Sequence, residues 1–386
     1  MTLRQRFIVG AAGIALAFSA SLAQAGPYSA MYVFGDSLSD VGNDALISGG
    51  AIPRTSIFTN GTTSGRFTNG YNYIDYMASF MGLSVTPSVA GGTNYAYGGA
   101  RVDGITPALV PLGGLSFNQQ VTSYVSSHAG AADPNALYVL WAGANNVSDG
   151  ITTVAMGGSP SAIGTQIGTS ISAIGSAIGA LGLNGAQHFL VLNLPDLSQT
   201  PVIRYAGSPL LSSIAQSASV GFNSALAGLV GSAAFSALDI TLFDVFTEQT
   251  KVTNDPAAYG FTDTTHACYT GDPDGAPRPG WGTPTTCADA SGYMYFDYMH
   301  PSQALHNRLA LLAYCEVRGW ARQAGKADIA DGAACLFTEN PCVSRDEFLA
   351  KVDTLIAALE RQRQAGAQPS CAYGSPGQPG CCHPPH

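Results

Sequence analysis

Four short apolar runs alternate with segments of helical periodicity, and this alternation restricts the possible folds most strongly. From Ile163 to Leu181, isoleucine or leucine recurs every three or four residues, which predicts one apolar face on a helix. Strands that alternate with helices predict a parallel sheet with helices on both faces. The four runs are "AMYVF", "ALYVLWAG" at 136–143, "HFLVLNL" at 188–194 and "ITLFDVF" at 240–246.

The first 25 residues have the pattern of a secretory signal peptide. Arg4 and Arg6 precede an apolar run, and a small-residue pattern ends at Ala25, after which we expect cleavage. The apolar run is interrupted by serines too early for a span of about 20 residues. We therefore expect a secreted or periplasmic protein with no stable membrane anchor.

The charge balance bears on possible partners. The formal net charge is -9, and loss of Arg4 and Arg6 with the signal peptide makes it -9 - 2 = -11. Because no basic stripe is visible that could displace counterions from phosphates, we exclude nucleic acid as a partner.

The eight cysteines of an exported chain are expected to form disulfides. Cys268 and Cys287 bracket a Pro/Gly-rich loop that has little means of packing itself, so we predict a bridge between them. Eight cysteines allow 105 pairings. The remaining partners therefore stay open, and the terminal "CCHPPH" is read as part of a disordered tail rather than as a metal site.

Ser37, in "YVFGDSLSD", directly follows the first predicted strand. A serine there can cap a helix. The carboxyl end of a parallel strand is also where α/β proteins place reacting groups. The adjacent Asp36 is interpreted as structural, because a neighbour within a turn points away from the nucleophile.

Asp297 and His300 stand three residues apart just before a predicted helix whose first position is Pro301. A serine hydroxyl becomes a nucleophile when an imidazole accepts its proton, and a carboxylate fixes the tautomer of that imidazole. The Gly-rich stretch at 91–101 and Asn145 in "WAGANN" could supply donors to an oxyanion.

These blocks resemble the SGNH hydrolases, also called GDSL esterases and lipases. "FGDSLSD", "NYAYGGAR", "GANN" and "DYMH" occur in the order of the nucleophile, glycine, asparagine and acid–base blocks. The segments "GRFTNGYNYIDYMA" at 65–78 and "LNLPDLSQTP" at 192–201 also resemble the phospholipase/lecithinase/haemolysin-like branch. Together the similar segments span about residues 30–315.

The resemblance implies a three-layer α/β/α, flavodoxin-like fold with a parallel central sheet, no cofactor, no metal, and hydrolysis of small-molecule or lipid esters. It implies that Ser37 is the nucleophile, His300 the base and Asp297 the orienting acid. The oxyanion donors would be the Ser37 N–H, the Asn145 side-chain amide and the Gly98 N–H, with Gly99 as an alternative to Gly98. The chain departs from the family at Asn146, where Asp is common.

We expect the hydrolase domain at 26–319, a small helical appendage at 320–364 and a disordered Pro/Gly/Cys tail at 365–386. Several functions remain open: a lipid esterase, a carbohydrate acetylesterase, a lipid acyltransferase, or a binding protein with an idle serine. Tyr95, Tyr97 and Trp141 could equally line a substrate pocket or belong to the core.

Overall fold

The structure is a computed structural model that describes residues 28–318. The predicted signal peptide, the appendage and the tail therefore lie outside the described residues. The sheet strands are β1 (Met31–Gly35), β2 (Leu137–Trp141), β3 (His188–Leu192) and β4 (Asp239–Phe243), and a separate pair is formed by β5 (Asp263–Ala267) and β6 (Tyr293–Tyr295). The helices are α1 (Asn43–Ile47), α2 (Tyr73–Met81), α3 (Phe117–Ser127), α4 (Ala144–Ala155), α5 (Ser161–Leu183), α6 (Pro201–Tyr205), α7 (Pro209–Val230), α8 (Val245–Asn254) and α9 (Gln303–Val317).

The four sheet strands coincide with the four predicted apolar runs and pair in parallel in the order β1-β2-β3-β4. A short segment at 93–95 lies against the other edge of β1. Val33 N–H donates to the Thr93 carbonyl at 3.1 Å, and Tyr95 N–H donates to the Val33 carbonyl at 2.8 Å. With that segment counted as the second strand, the order is the 2-1-3-4-5 of flavodoxin-like folds. The predicted fold class is confirmed.

Alternate residues of each strand enter two separate cores, so the sheet has helices on both faces. On one face, Val139 and Trp141 pack with α2, α8 and α9. On the other face, Tyr138 and Leu140 pack with α3, α4, α5 and α7. Both cores reach the carboxyl edge of the sheet, where the predicted site residues lie.

Helix α5 is long and apolar enough, by length and composition alone, to cross a membrane. Its buried residues include Ile174, Ile178 and Leu181, which pack in the second core against the sheet. The helix therefore covers the sheet with one face, which matches the apolar stripe predicted from the spacing of isoleucines.

Candidate active site

Ser37 lies in a tight turn after β1. Gly35 is needed there because a Cβ at this position would lie 2.4 Å from the Trp141 carbonyl oxygen on β2. The Asp36 carboxylate accepts the Leu38 N–H at 3.1 Å, which fixes the turn from within. Ser37 is 8% exposed and no helix begins at this position, so the helix-cap interpretation of Ser37 is wrong.

The acid–base turn places His300 against Ser37. His300 Nε2 lies 2.8 Å from Ser37 Oγ, and His300 Nδ1 lies 2.7 Å from Asp297 Oδ2. An ionised carboxylate only accepts, so Nδ1 carries the proton and Nε2 is left to accept from the serine hydroxyl. The three side chains thus form one hydrogen-bonded chain.

Asp297 is fully buried, and its carboxylate is satisfied by the turn that it closes. Asp297 Oδ1 accepts the backbone N–H groups of Met299 at 2.9 Å and His300 at 2.7 Å. The Phe67 ring lies 5.3 Å from the imidazole of His300, centroid to centroid. Water is therefore largely excluded from the side of the imidazole that faces Asp297 and Phe67.

Asn145 is the second residue of α4, and together with Ser37 it lines a cavity that is described below. Its Nδ2 donates to the Ala100 carbonyl at 3.0 Å, which ties the glycine block to the end of β2. An amide nitrogen carries two hydrogens, so one remains for a ligand. The next residue, Asn146, accepts the Val102 N–H at 2.9 Å and supports the same loop.

Gly98 is enclosed more tightly than the sequence suggests. A Cβ there would lie 2.2 Å from Phe67 Cζ and 2.5 Å from Asp44 Oδ2, so only glycine fits. Gly98 is not among the residues that line the cavity beside Ser37 and His300. The structure therefore brings Ser37, His300 and Asn145 together at the cavity, with Asp297 behind His300 and Gly98 set back from it.

Three buried carboxyls surround the nucleophile turn. Burial raises the pKa of Asp36 to about 6, against the opposing effects of the Leu38 N–H and His300. Burial also raises the pKa of Asp40 to about 6, although three backbone N–H groups bond to it. The pKa of Asp44 is raised well above its usual value by burial and then by the charge of Asp40.

The acid–base turn is held by the segment at 65–70. Thr68 Oγ1 donates to the Pro301 carbonyl at 2.8 Å, and Gln303 N–H donates to Asn69 Oδ1 at 2.7 Å. Helix α9 begins at Gln303 with Ser302 as its N-cap. The expectation that Pro301 is the first helical residue is therefore wrong, because the Pro301 carbonyl bonds to Thr68 outside the helix.

The predicted disulfide joins Cys268 to Cys287, with their Cα atoms 4.9 Å apart. The loop that it closes carries Arg278, whose guanidinium lies 3.5 Å from the centroid of the Tyr298 ring. Arg278 Nη1 also donates to Asp272 at 2.8 Å. The loop thus packs directly on the acid–base turn.

A cavity of about 190 Å³ opens beside Ser37 and His300. Trp141 lines this cavity and also belongs to the core, whereas Tyr95 and Tyr97 are buried outside this cavity. The Trp141 indole N–H donates to the Asn193 carbonyl at 3.0 Å, which leaves its apolar surface for the cavity. Asp36 also contributes to the lining, although its carboxylate bonds within the turn.

Sequence reasoning missed three residues that shape the site: Phe67, Gln120 and Arg278. Gln120 accepts the Gly35 N–H at 2.9 Å and donates to the Gly35 carbonyl at 2.8 Å, fixing the end of β1. Phe67 lies in the segment at 65–78, whose resemblance to the family could have indicated a residue near the site. Gln120 and Arg278 carried no signal, because their partners are distant in sequence.

Comparison with known proteins identifies the family. A sequence model described as GDSL-like Lipase/Acylhydrolase matches residues 31–313. The chain belongs to this family. The match includes all four blocks that carry the candidate site residues.

The individual relatives have low sequence identity to this chain. The chain is 35% identical over 202 residues to Lipase 1 of Photorhabdus luminescens, covering 52% of this chain and 27% of that protein. It is 29% identical over 246 residues to the phosphatidylcholine-sterol acyltransferase of Aeromonas hydrophila, covering 63% and 66%. The chain thus spans less than two thirds of the length of either relative.

A solved structure of a GDSL-like lipase candidate from Parabacteroides merdae overlaps weakly. It covers 76% of this chain and 96% of that one at 12% identity, with a TM-score of 0.36. The fold assignment therefore stands on the strand order and the family match.

Proposed function

We propose that this protein is a serine esterase or lipase that hydrolyses carboxylic esters through an acyl-enzyme intermediate. The observation that carries the proposal is the continuous chain of contacts from Ser37 Oγ to His300 Nε2 at 2.8 Å and from His300 Nδ1 to Asp297 Oδ2 at 2.7 Å. Membership of the GDSL-like lipase/acylhydrolase family supports the same chemistry.

In the proposed reaction, Ser37 Oγ attacks the ester carbonyl carbon while His300 Nε2 takes the hydroxyl proton. Asp297 stabilises the imidazolium and holds its tautomer. The oxyanion accepts hydrogen bonds from the Ser37 N–H and the free N–H of the Asn145 amide. The Gly98 N–H is the third donor of the predicted set, and because Gly98 does not line the cavity, it would act as a donor only after a shift of the glycine block. His300 then protonates the leaving alcohol, and water activated by His300 releases the acid.

A fluorophosphonate probe tests the nucleophile, because it reacts quickly only with a serine activated by a base. We expect labelling at Ser37, together with hydrolysis of 4-nitrophenyl acetate. Ser148→Ala is the matched control, since Ser148 lines the same cavity with no imidazole bonded to it among the described residues. Labelling that survives in Ser37→Ala would refute the assignment, and a protein without labelling or hydrolysis would fit the idle-serine alternative.

Acyl transfer is a second candidate, and similarity to the acyltransferase of Aeromonas hydrophila favours keeping it. Transfer to an alcohol uses the same acyl-enzyme, so the triad alone does not distinguish it from hydrolysis. Adding an alcohol acceptor to the ester assay separates the two. New ester at the expense of free acid would indicate transfer, whereas unchanged acid release would indicate hydrolysis.

We also propose that the protein is exported. The signal-peptide pattern at 1–25 and the Cys268–Cys287 disulfide support an oxidising compartment. Sequencing the amino terminus of protein recovered outside the cytoplasm should give Gly26 as the first residue. An uncleaved chain that stays in the cytoplasm would contradict export.

A further inference from the structure

The cavity beside Ser37 has one buried end and one exposed end. Its buried end is lined by Trp141 on β2, Val245 on α8, and Leu305 and Leu309 on α9, each at most 3% exposed. Its other end reaches Thr152 and Arg278, of which Thr152 is exposed and Arg278 half-buried. A ligand therefore enters past Thr152 and Arg278 and extends inwards.

The polar atoms at the buried end already have partners. Gln249 Nε2 donates to the Tyr295 hydroxyl at 2.6 Å, and Gln249 Oε1 accepts the Asp196 N–H. The Trp141 indole N–H is bonded to the Asn193 carbonyl. The buried end thus offers a ligand an apolar surface without competing polar groups, which suits a hydrocarbon chain.

The order in which the products leave determines which part of the ester occupies each end of the cavity. After the first step the alcohol must leave while the acyl group stays bonded to Ser37, and water must then reach the same carbon. A closed end cannot release the alcohol, so the closed end holds the acyl chain and the open end the alcohol. This assignment rests on the proposed esterase function.

The size of the cavity sets a scale for the acyl chain. A protein cavity of about 150 Å³ lined by Leu, Ile and Phe binds benzene, which has six carbons. The cavity here, at about 190 Å³, is somewhat larger. Because this volume includes the open end, it sets an upper limit for the buried end. We propose that the buried end is an acyl pocket for linear acyl groups of at most about six to eight carbons, and that Leu309 and Val245 set its length.

The test uses 4-nitrophenyl esters from acetate to dodecanoate, each kept below its aggregation concentration. Burial of one methylene is worth about fourfold in kcat/KM when 0.8 kcal/mol per CH₂ is converted at 1.4 kcal/mol per tenfold. We expect kcat/KM to rise by about this factor per carbon and to stop rising when the pocket is full. A profile in which acetate is the best substrate would overturn the pocket and favour an acetylesterase.

Two variants should change the preferred acyl chain length in opposite directions. Leu309→Ala should shift the best chain two or three carbons longer, because three side-chain carbons are removed from the pocket wall. Val245→Ile adds one carbon and should shift the best chain about one carbon shorter. Unchanged profiles in both variants would overturn the assignment of these residues.

Leu312→Ala is the matched control, because Leu312 is buried on the same helix and does not line the cavity. It should lower the melting temperature about as much as Leu309→Ala and keep the wild-type chain preference. A shift in Leu312→Ala equal to that in Leu309→Ala would mean that loosened packing, not the pocket wall, sets the preference.

If Leu309→Ala fails to fold, Val245→Ile decides the question. Hydrolysis of acetate with a flat chain-length profile would refute the pocket alone, whereas loss of all hydrolysis and of Ser37 labelling would refute the esterase function.

Discussion

Ser37 and His300 touch each other, yet the turns that carry them are stabilised differently. The carboxylates of the nucleophile turn bond to residues close in sequence, and distant amides complete it: Asn94 Nδ2 donates to the Ser39 carbonyl at 2.7 Å and Asn72 Nδ2 to the Asp40 carbonyl at 2.9 Å. The Asp36 carboxylate accepts the Leu38 N–H, and Asp40 Oδ1 accepts the N–H groups of Gly42 and Asn43. The segment that follows β1 therefore combines a locally closed turn with support from the segments at 72–73 and 94.

The acid–base turn closes locally on the Asp297 carboxylate and is held in place by partners that include the disulfide-closed loop. Thr68 bonds to Pro301, Val202 N–H donates to the Tyr298 carbonyl at 2.9 Å, and Arg278 stacks on Tyr298. The disulfide-closed loop that carries Arg278 contacts this turn directly, whereas no contact between that loop and residues 36–40 is among those described. The comparison teaches that perturbing the loop should displace the base before it displaces the nucleophile.

The largest expected effect is removal of the base. His300→Ala should lower kcat by roughly 10⁴ to 10⁶, because only binding and the oxyanion donors remain. His266→Ala is the control, since His266 forms a similar pair with Asp263, Nδ1 to Oδ2 at 2.9 Å, on the exposed surface. Near-normal turnover in His300→Ala would mean that another group accepts the serine proton.

The next largest effect is expected for Asn145, whose amide ties the glycine block to the end of β2. Asn145→Ala should cost about 2.7 to 4 kcal/mol of transition-state stabilisation, seen in kcat and hardly in KM. Asn146→Ala should instead lower stability, because Asn146 bonds to Val102 in the supporting loop and to Gln166 on α5. A loss confined to KM in Asn145→Ala would assign this amide to ground-state binding.

The sequence predicted the locally built features well. The four sheet strands and the turn after β1 follow from apolar runs and glycine positions, which act within a few residues. The role of Gln120 on Gly35 and that of Arg278 on Tyr298 could not be predicted, because sequence patterns do not report which distant segments meet. The buried carboxyl of Asp44 beside Gly98 was missed for the same reason. The catalytic roles of Ser37, Asp297 and His300 remain predictions that the experiments above address.

Removing the disulfide should destabilise the acid–base turn more than the nucleophile turn. Replacing Cys268 and Cys287 by Ser should lower stability by on the order of 3 kcal/mol, from the unfolded-state freedom of a loop of roughly 20 residues. Hydrogen exchange should rise first at 293–300, which the loop contacts, and later at 31–38. Equal increases in both segments would show that the disulfide stabilises the domain as a whole and not the acid–base turn.

The smallest expected effect is a pH-dependent change in stability from the nucleophile turn. Burial raises the pKa of Asp36 from 3.8 to about 6, so between these values the folded chain holds a proton that the unfolded chain has lost. The free energy of unfolding should therefore fall as pH rises from about 4 to about 6 and stay lower above it.

Asp36→Asn retains an acceptor for the Leu38 N–H without the charge, and it should be more stable than the wild type at pH 7.5 by on the order of 2 kcal/mol. The difference should vanish near pH 4, where both chains carry a neutral group at this position. Melting curves at the two pH values measure it. A stability gain of the same size at both pH values would assign the effect to packing, and a loss at pH 7.5 would mean that the ionised carboxylate, facing His300, stabilises the folded site.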